Sequence, residues 1–207
     1  ITAPFEKEAH GIYQKIWDIP AKTEEIEKAR LYISGMGLYE AYLNGEKVGE
    51  EYLTPFYNDY NNWIQFQTFD ITQMLKSGSN ELEIMLGNGW YKGRFGFIDK
   101  MDRLYGDTQA VICELESVLQ NGDKITISSD ESFRCQKSPV LESSIYDGEV
   151  YDANLVPKED KWVQAVPAKE EIQKWSQKLT PRYSLPLIAH EALKPVEVIH
   201  TPAGETV

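Results

Sequence analysis

The fold is decided by residues 29–97, ARLYISGMGLYEAYLNGEKVGEEYLTPFYNDYNNWIQFQTFDITQMLKSGSNELEIMLGNGWYKGRFGF. Short runs of β-branched and aromatic residues, which favour strands, alternate here with glycines and asparagines, which favour turns. The runs at 31–33 and 39–43 predict two strands. The segment 34–37 between them contains two glycines, so we expect a tight connection there. The stretch therefore predicts strands and loops with little room for helix.

Two Asn-Gly pairs predict hairpins. Asn44-Gly45 follows the strand at 39–43, and Asn121-Gly122 follows a longer strand pattern. Both residue types accept the left-handed conformation that a type I′ turn requires. We therefore expect each pair to reverse the chain between two antiparallel strands.

Alternating polarity predicts three further strands. They are expected at 64–69, 81–86 and 109–119. Between the first two, Asp70 is predicted to cap one or two helical turns at 71–76, and Gly78 to end them. This would be a minor element in a sheet-rich chain.

Prolines break up the last third of the chain, where a short helix at 168–179 and strands at 187–189 and 196–199 are predicted. About eight short strands with almost no helix predict an all-β fold, an antiparallel β-sandwich or jelly roll of the galactose-binding-domain-like type. Residues 1–155 would form the sandwich domain. Residues 156–207 would complete it as an extension that leads to a downstream domain.

Composition and net charge limit the classes of binding partner that we expect for this chain. The 207 residues carry a formal net charge of −12, and 42% of them are hydrophobic, so a packed core is expected. An acidic surface repels phosphate groups, so neither nucleic acid nor membrane is expected as a partner. No apolar run approaches the ~20 residues that span a bilayer, and we expect a soluble domain. Cys113 and Cys135 are too few for a disulfide scaffold, and they leave cytoplasm and export both open.

Bond-breaking chemistry is not indicated. Glycoside cleavage uses two carboxylates, and candidate pairs occur at Asp99/Asp102, Asp130/Glu131 and Asp147/Glu149. With 33 acidic residues such pairs arise by chance, so no catalytic role is assigned to them. The three histidines lack metal-ligand spacing, and no Gly-x-Ser-x-Gly motif is present. No catalytic residue is predicted.

A carbohydrate-binding site is predicted instead in the aromatic loop at 87–97. Trp90 and Tyr91 can stack on the apolar face of a sugar ring, while Asn88 and Arg94 can donate hydrogen bonds to its hydroxyl groups. The alternative is that Trp90 and Tyr91 fill the end of the sandwich core. The residues alone leave both interpretations open.

A second loop at 57–63 adds Asp59 and Asn61 to the predicted site. Their oxygen atoms suit Ca²⁺, but the full ligand series is missing, so a turn stabilised by Asx hydrogen bonds is the competing interpretation. The metal ligands stay unassigned, and no other cofactor is expected. A third loop at 146–153, rich in acids and tyrosines, either binds a ligand or docks on a neighbouring domain.

Four segments, in this order, resemble the N-terminal β-sandwich domain of bacterial α-L-rhamnosidases, a family of glycoside hydrolases. They are ARLYISGMGLYEAYLNGEKVG, LTPFYNDYNNWIQFQTFDIT, LGNGWYKGRFGF and IYDGEVYDA. The tail PRYSLPLIAHEALKPVEVIHTPAGETV resembles the segment that leads into the family's next domain. The resemblance implies a parent enzyme that removes terminal α-L-rhamnose, with catalytic glutamates in a helical barrel far downstream.

We therefore expect a non-catalytic domain that is inactive alone. Its work would be accessory binding of a rhamnose-containing glycan, or packing against downstream domains of the same polypeptide. In some family members the corresponding sandwich binds rhamnose with Ca²⁺. The alternative is a purely structural interdomain module without sugar affinity, for which we expect an exposed interface near Tyr146 and Trp175.

Overall fold

The computed structural model describes residues 1–96 and 101–204, which form two β-sheets that enclose one main core. Its strands are β1 (Gly11–Ile19), β2 (Ile26–Met36), β3 (Leu38–Leu43), β4 (Glu46–Lys47), β5 (Ile64–Asp70), β6 (Gly78–Gly87), β7 (Ala110–Leu119), β8 (Lys124–Ser128), β9 (Arg134–Lys137), β10 (Val140–Ser144), β11 (Gly148–Tyr151), β12 (Val163–Gln164) and β13 (Leu179–Pro181). One sheet has the order β12-β9-β1-β6-β3-β4 and the other β13-β5-β2-β7-β8, while β10 and β11 form a separate hairpin. Among the strand pairs of the described residues, β13–β5 alone is parallel, so the predicted all-β antiparallel sandwich is confirmed.

Helix is scarce. The two α-helices have four residues each, α1 (Gly89–Lys92) and α2 (Glu170–Gln173). The helix predicted at 71–76 is only a 3₁₀ turn at Thr72–Met74, because Asp70 Oδ1 accepts the Thr72 backbone N–H at 3.0 Å in an Asx turn instead of capping an α-helix. In the part of the chain that the structure describes, no helix is long and apolar enough to cross a membrane.

The connection predicted at 34–37 is a passage between sheets rather than a hairpin. β2 continues to Met36 in the five-stranded sheet, and β3 begins at Leu38 in the six-stranded sheet. Gly37 alone makes the crossing, with φ +112°. A Cβ atom here would lie 2.2 Å from the backbone oxygen of Gly87. Only glycine satisfies both the backbone angle and the close approach.

The two Asn-Gly turns are confirmed. Asn44 and Gly45 have φ values of 56° and 85°, the left-handed pair expected for type I′, and they join β3 to β4. Asn121-Gly122 joins the antiparallel strands β7 and β8. The local chemistry of Asn-Gly thus decides both reversals.

The core lies between the two sheets, where alternating side chains from both inner faces meet. Its most buried members include Tyr13, Ile19, Leu31, Ile33, Leu43, Leu82, Ile84, Leu115 and Phe133. Cys113 and Cys135 are free and buried. Burial raises the pKa of their thiols to about 12 and about 11, so both stay protonated and act as small apolar side chains.

The last third of the chain adds one edge strand to each of the two sheets. β12 pairs with β9, and β13 lies parallel to β5. Residues 182–200, most of which are exposed, follow as a segment that we call the C-terminal arm. The strand predicted at 187–189 is reduced to one bridge between Ile188 and Glu51, and the strand predicted at 196–199 is wrong, because those residues join no ladder.

Candidate functional site

The loops at one end of the sandwich, residues 57–63, 88–96, 101–109 and 141–150, are called the loop end. Helix α1 sits among them, and it corrects the prediction of a continuous loop at 87–97. Successive helical side chains point about 100° apart. Trp90, Tyr91 and Lys92 therefore enter three different surroundings.

Tyr91 points inward, as the core-filling interpretation predicts. It is 2% exposed and belongs to an aromatic cluster that we define as Tyr60, Tyr91, Tyr105 and Trp175. Ring centroids lie 5.0 Å apart for Tyr60–Tyr91 and 5.6 Å for Tyr91–Trp175. Burial raises the pKa of Tyr60 to about 12. The cluster also holds Trp175 half-buried, so the interface expected there is not an open aromatic surface.

Trp90 points outward and is half-buried. Its ring meets Tyr57 edge to face at 6.1 Å, and its Nε1 donates to the Tyr146 hydroxyl at 3.4 Å. Phe95 lies 5.8 Å from Tyr57 on the same side. Tyr57, Trp90, Phe95 and Tyr146 form what we call the outer aromatic surface. Tyr57, 41% exposed, was not among the predicted site residues although its loop was.

Asn88 and Arg94 are engaged within the domain. The Asn88 amide donates to the Ser143 carbonyl at 3.0 Å and accepts from Gln109 at 3.2 Å. Arg94 binds the Asp147 carboxylate through two nitrogens, at 2.7 and 3.1 Å. These contacts tie α1 to the β10–β11 hairpin. Their predicted role toward a sugar stays a prediction.

Asp59 and Asn61 lie in a hydrogen-bonded turn. The Asp59 carboxylate accepts the Asn61 backbone N–H at 3.1 Å and the Asn62 amide at 2.6 Å, as the Asx-turn interpretation expects. Asn61 is exposed, and its carbonyl accepts from Lys178. Among residues 1–96 and 101–204, no group of three His, Cys, Asp or Glu is placed to hold a metal ion. This finding concerns His, Cys, Asp and Glu side chains, and it does not extend to amide, carbonyl or hydroxyl oxygens as metal ligands.

The acidic pairs occupy separate exposed positions. Asp130 caps a turn by accepting from Ser132, and Glu131 beside it is exposed. Asp147 is paired with Arg94, and Asp102 lies 3.3 Å from Arg103. Asp99, the partner of Asp102 in a candidate acidic pair, and Phe97, the last residue of the predicted aromatic loop, lie outside the described residues. Hydrogen bonds from Ser132 lower the pKa of Asp130, the opposite of the raised pKa that a general acid requires.

Lys92 points into a cavity of about 410 Å³ that we call the loop-end pocket. The N-terminal segment, α1, the loop after it and the β10–β11 hairpin all contribute to its wall, which includes Glu8, His10, Asn88, Lys92, Arg103 and Ser143. Lys92 is 4% exposed and His10 is 2% exposed. Sequence reasoning missed both residues. His10 precedes a strand by itself, and Lys92 lies inside a run in which Asn88, Trp90, Tyr91 and Arg94 were the predicted site residues, so neither carried a local signal of its own.

The His10 ring is buried without normal hydrogen bonds. The Asn88 side chain and the Val140 backbone lie beside it, but within the described residues neither nitrogen completes a bond of ordinary geometry. Burial and the neighbouring Lys92 ammonium lower the His10 pKa, so the ring is neutral. The Lys92 ammonium donates to the Lys7 carbonyl, and burial lowers its pKa. The pocket thus contains a buried amine beside an unsatisfied imidazole.

The C-terminal arm differs from the loop end in exposing its apolar side chains. Its start is held by Gln65, whose Oε1 accepts from the Ser184 hydroxyl at 3.0 Å, and by the Tyr52 N–H, which donates to the Leu187 carbonyl at 2.9 Å. Arg182 also pairs with Glu51. Beyond these anchors, Leu193 is 81% exposed and Val196 completely so.

Comparison with known proteins identifies relatives along most of the chain. The family model described as the α-L-rhamnosidase N-terminal domain matches residues 24–200. An α-L-rhamnosidase of Formosa agariphila is 35% identical over 136 residues, which is 64% of this chain and 14% of that protein. The chain therefore spans about a seventh of the length of this curated relative.

Solved structures of α-L-rhamnosidases also resemble this chain. A crystal structure of an α-L-rhamnosidase from Aspergillus terreus superposes with a TM-score of 0.84 and 28% identity, covering 96% of this chain and 23% of the other. The Streptomyces avermitilis α-L-rhamnosidase, solved in complex with L-rhamnose, superposes with a TM-score of 0.72 and 30% identity, covering 78% of this chain and 16% of the other. In each case the similarity covers one part of a much longer chain.

Proposed function

The chain belongs to the α-L-rhamnosidase N-terminal domain family, and from this we propose that it is a non-catalytic module that packs, through its C-terminal arm, against the rest of an α-L-rhamnosidase polypeptide. One observation carries the proposal. The arm is fixed at its start and then presents a row of apolar side chains to solvent. Such a row is characteristic of a surface that another body covers.

The energetics favour a covering partner. Leu185, Leu193, Val196 and Val198 are each at least two-thirds exposed. Burial of apolar surface contributes about 25 cal/mol per Å², so four such side chains offer several kcal/mol to an interface. Gln65 and Tyr52 hold the arm's start, which lowers the entropy cost of docking the remainder. A partner that is covalently continuous would meet this surface at a high effective concentration.

Hydrogen exchange tests this role. In the full polypeptide that carries this chain, backbone amides of residues 189–199 are expected to exchange at least tenfold more slowly than in the isolated 207-residue chain. The exposed turn at 120–123 serves as the internal control and should exchange equally in both. Equal exchange of the arm in both proteins would contradict the proposal.

A matched pair of variants separates docking from general polarity. The double variant Leu193→Ser/Val196→Ser is expected to restore fast exchange across the arm in the full polypeptide. Ile16→Ser replaces an apolar residue of β1 that is also exposed, at 46%, and should leave arm protection intact. If Ile16→Ser had the same effect, the arm would not be the specific contact.

The second candidate function is accessory sugar capture on the outer aromatic surface. The observation that favours it is the half-exposed pair Tyr57 and Trp90 beside the Arg94–Asp147 pair, since exposed rings can stack on a sugar while charged groups bind its hydroxyls. One relative was crystallised with L-rhamnose. Of the residues predicted from sequence, Trp90 belongs to this surface and Arg94 lies over its Tyr146 ring at 5.5 Å, whereas Tyr91 is buried.

Calorimetric titration with L-rhamnose, with and without Ca²⁺, tests the second candidate. Heat that saturates at millimolar sugar and is abolished by Tyr57→Ala would support it. Tyr183→Ala, which removes an exposed tyrosine of the arm, is the matched control and should bind normally. Absence of heat under both conditions would leave only the packing role.

A further inference from the structure

Most charges at the loop-end pocket neutralise one another. Arg94 pairs with Asp147, and Arg103 lies 2.9 Å from Glu8. These pairs are largely exposed, so each contributes little to stability. The rim also carries the exposed acids Asp102 and Glu142, whose charges are screened by solvent. A ligand would therefore be selected by charges deeper in the pocket that have no such counterpart.

Lys92 is such a charge. It is the most buried cationic side chain of the pocket wall, and within the described residues its ammonium forms no ion pair, only a hydrogen bond to the Lys7 carbonyl. The nearby carboxylates of Glu8 and Asp107 are each closer to another cation, in contact with Arg103 and Lys7. A buried ammonium retains two further donor positions, and leaving them without an anion is unfavourable.

His10 adds a second unsatisfied group at the same place. Its ring is buried against Lys92, and both nitrogens lack a bond of normal geometry in the part of the chain that is described. Buried polar atoms are almost always hydrogen-bonded, so a ring with only poorly aligned contacts to Asn88 and Val140, beside an ammonium without an ion pair, needs an explanation. A bound group that accepts hydrogen bonds from the Lys92 ammonium and from the single N–H of the neutral His10 ring would supply one.

We propose that the loop-end pocket binds an acidic sugar, whose carboxylate lies against Lys92 and His10. The pocket volume of about 410 Å³ far exceeds a carboxylate and accommodates a pyranose ring. The wall also carries the hydroxyl of Ser143, which suits a sugar hydroxyl. This site is separate from the arm, so its test is independent of the packing role.

Two ligands that differ at one carbon test the proposal. Methyl β-D-glucuronide carries a carboxylate where methyl β-D-glucoside carries a hydroxymethyl group. Titrated into the 207-residue chain at about 0.15 M salt, where charges are screened beyond ~8 Å, the glucuronide is expected to bind at least tenfold more tightly. Acetate and inorganic phosphate, titrated separately, should each bind at least tenfold more weakly than the glucuronide.

Two lysine-to-methionine substitutions, one in the pocket and one on an exposed strand position, serve as matched variants. Lys92→Met keeps the apolar stem and removes the ammonium, and it is expected to reduce the preference for the glucuronide to less than twofold. Lys28→Met, at an exposed position of β2, should leave the preference unchanged. Equal affinity for the two sugars in the unaltered chain, or a preference retained in Lys92→Met, would overturn the proposal.

Histidine NMR gives a readout that needs no variant. The chain has three histidines, and two of them, His190 and His200, lie on the arm. Saturating glucuronide should shift the His10 ring resonances and leave those of His190 and His200 unmoved. Absence of binding, or binding without a His10 shift, would show that the carboxylate does not lie here. Phosphate or acetate binding as tightly as the glucuronide would refute the sugar part.

Discussion

The loop end and the C-terminal arm both carry aromatic, apolar and charged residues, but they bury them differently. At the loop end Tyr91 packs against Tyr60 and Trp175, and the charged residues find partners on neighbouring loops. Along the arm, Leu193 and Val196 contact mainly solvent. The loop end is thus stabilised by the domain itself, whereas the arm offers surface that only another body can bury.

This contrast separates two kinds of functional evidence. In the loop end the informative atoms are the few polar groups left unsatisfied, such as the His10 nitrogens, because the rest are paired. In the arm the informative atoms are apolar ones left exposed. The first pattern indicates a small ligand, and the second indicates a protein surface.

The largest expected difference between the two regions lies in packing. Tyr91→Ala should remove a buried ring and lower the free energy of unfolding by about 3–5 kcal/mol. Leu193→Ala on the arm should change it by less than about 0.5 kcal/mol, because the side chain is already exposed. Urea unfolding of both variants measures this. Similar losses would mean that the arm packs on the domain and that the contrast is wrong.

The glycine at the sheet crossing gives the next largest effect. Gly37→Ala would place a methyl group against the Gly87 carbonyl and should cost about 3 kcal/mol or more in unfolding free energy. Gly148→Ala is the control, since its φ is also positive, at +86°, but nothing lies within 4 Å of the new atom, so about 1 kcal/mol is expected. Equal costs would show that backbone conformation alone, and not close approach, fixes the crossing.

The pH dependence of the unfolding free energy is expected to differ between a histidine of the pocket, His10, and one of the arm, His190. Burial and Lys92 lower the His10 pKa in the folded state, while the Asn88 side chain, the Val140 backbone and, least of all, Glu8 act in the opposite direction. The unfolded chain therefore binds more protons once the pH falls below about 6.5, and stability is lost on acidification, by at most about 1.4 kcal/mol per pH unit. The lowered carboxyl pKa values, such as that of Asp70, act only below about pH 4.

Urea unfolding at several pH values between 7 and 5 tests this sign. The slope of unfolding free energy against pH should flatten in His10→Asn and stay as in the original chain in His190→Asn. A slope unchanged in His10→Asn would mean that His10 titrates normally and is not confined in the pocket.

The smallest difference concerns ion pairs. Asp147 is 60% exposed in its pair with Arg94, whereas Glu51 is 12% exposed in its pair with Arg182 at the base of the arm. Double-mutant cycles to alanine should give a coupling of about 0.5 kcal/mol for the loop-end pair and a larger one for Arg182–Glu51. A reversed ranking would place the tighter electrostatic anchor at the loop end.

The sheet-forming segments were predictable from the sequence because their signals are local, whereas the family was predicted from the resemblance of four ordered segments to its N-terminal domain. Alternation in β6 and β7 shows which side chains face the core, and Asn44-Gly45 reverses the chain through its own conformational preference. The strand predicted at 196–199 failed for a non-local reason. A run such as Val196-Glu197-Val198-Ile199 becomes a strand only when a partner strand lies beside it, and the described domain offers none.

By itself, then, the sequence determined the strands, the turns and the kind of domain, since these depend on residue type and spacing over a few positions. Tertiary structure alone decided that β2 and β3 enter opposite sheets, that Tyr91 is buried while Trp90 is not, and that His10 meets Lys92 across 82 positions (92 minus 10) of chain. The reason is physical: burial and electrostatic contact depend on distances that the chain closes only when both sheets have packed.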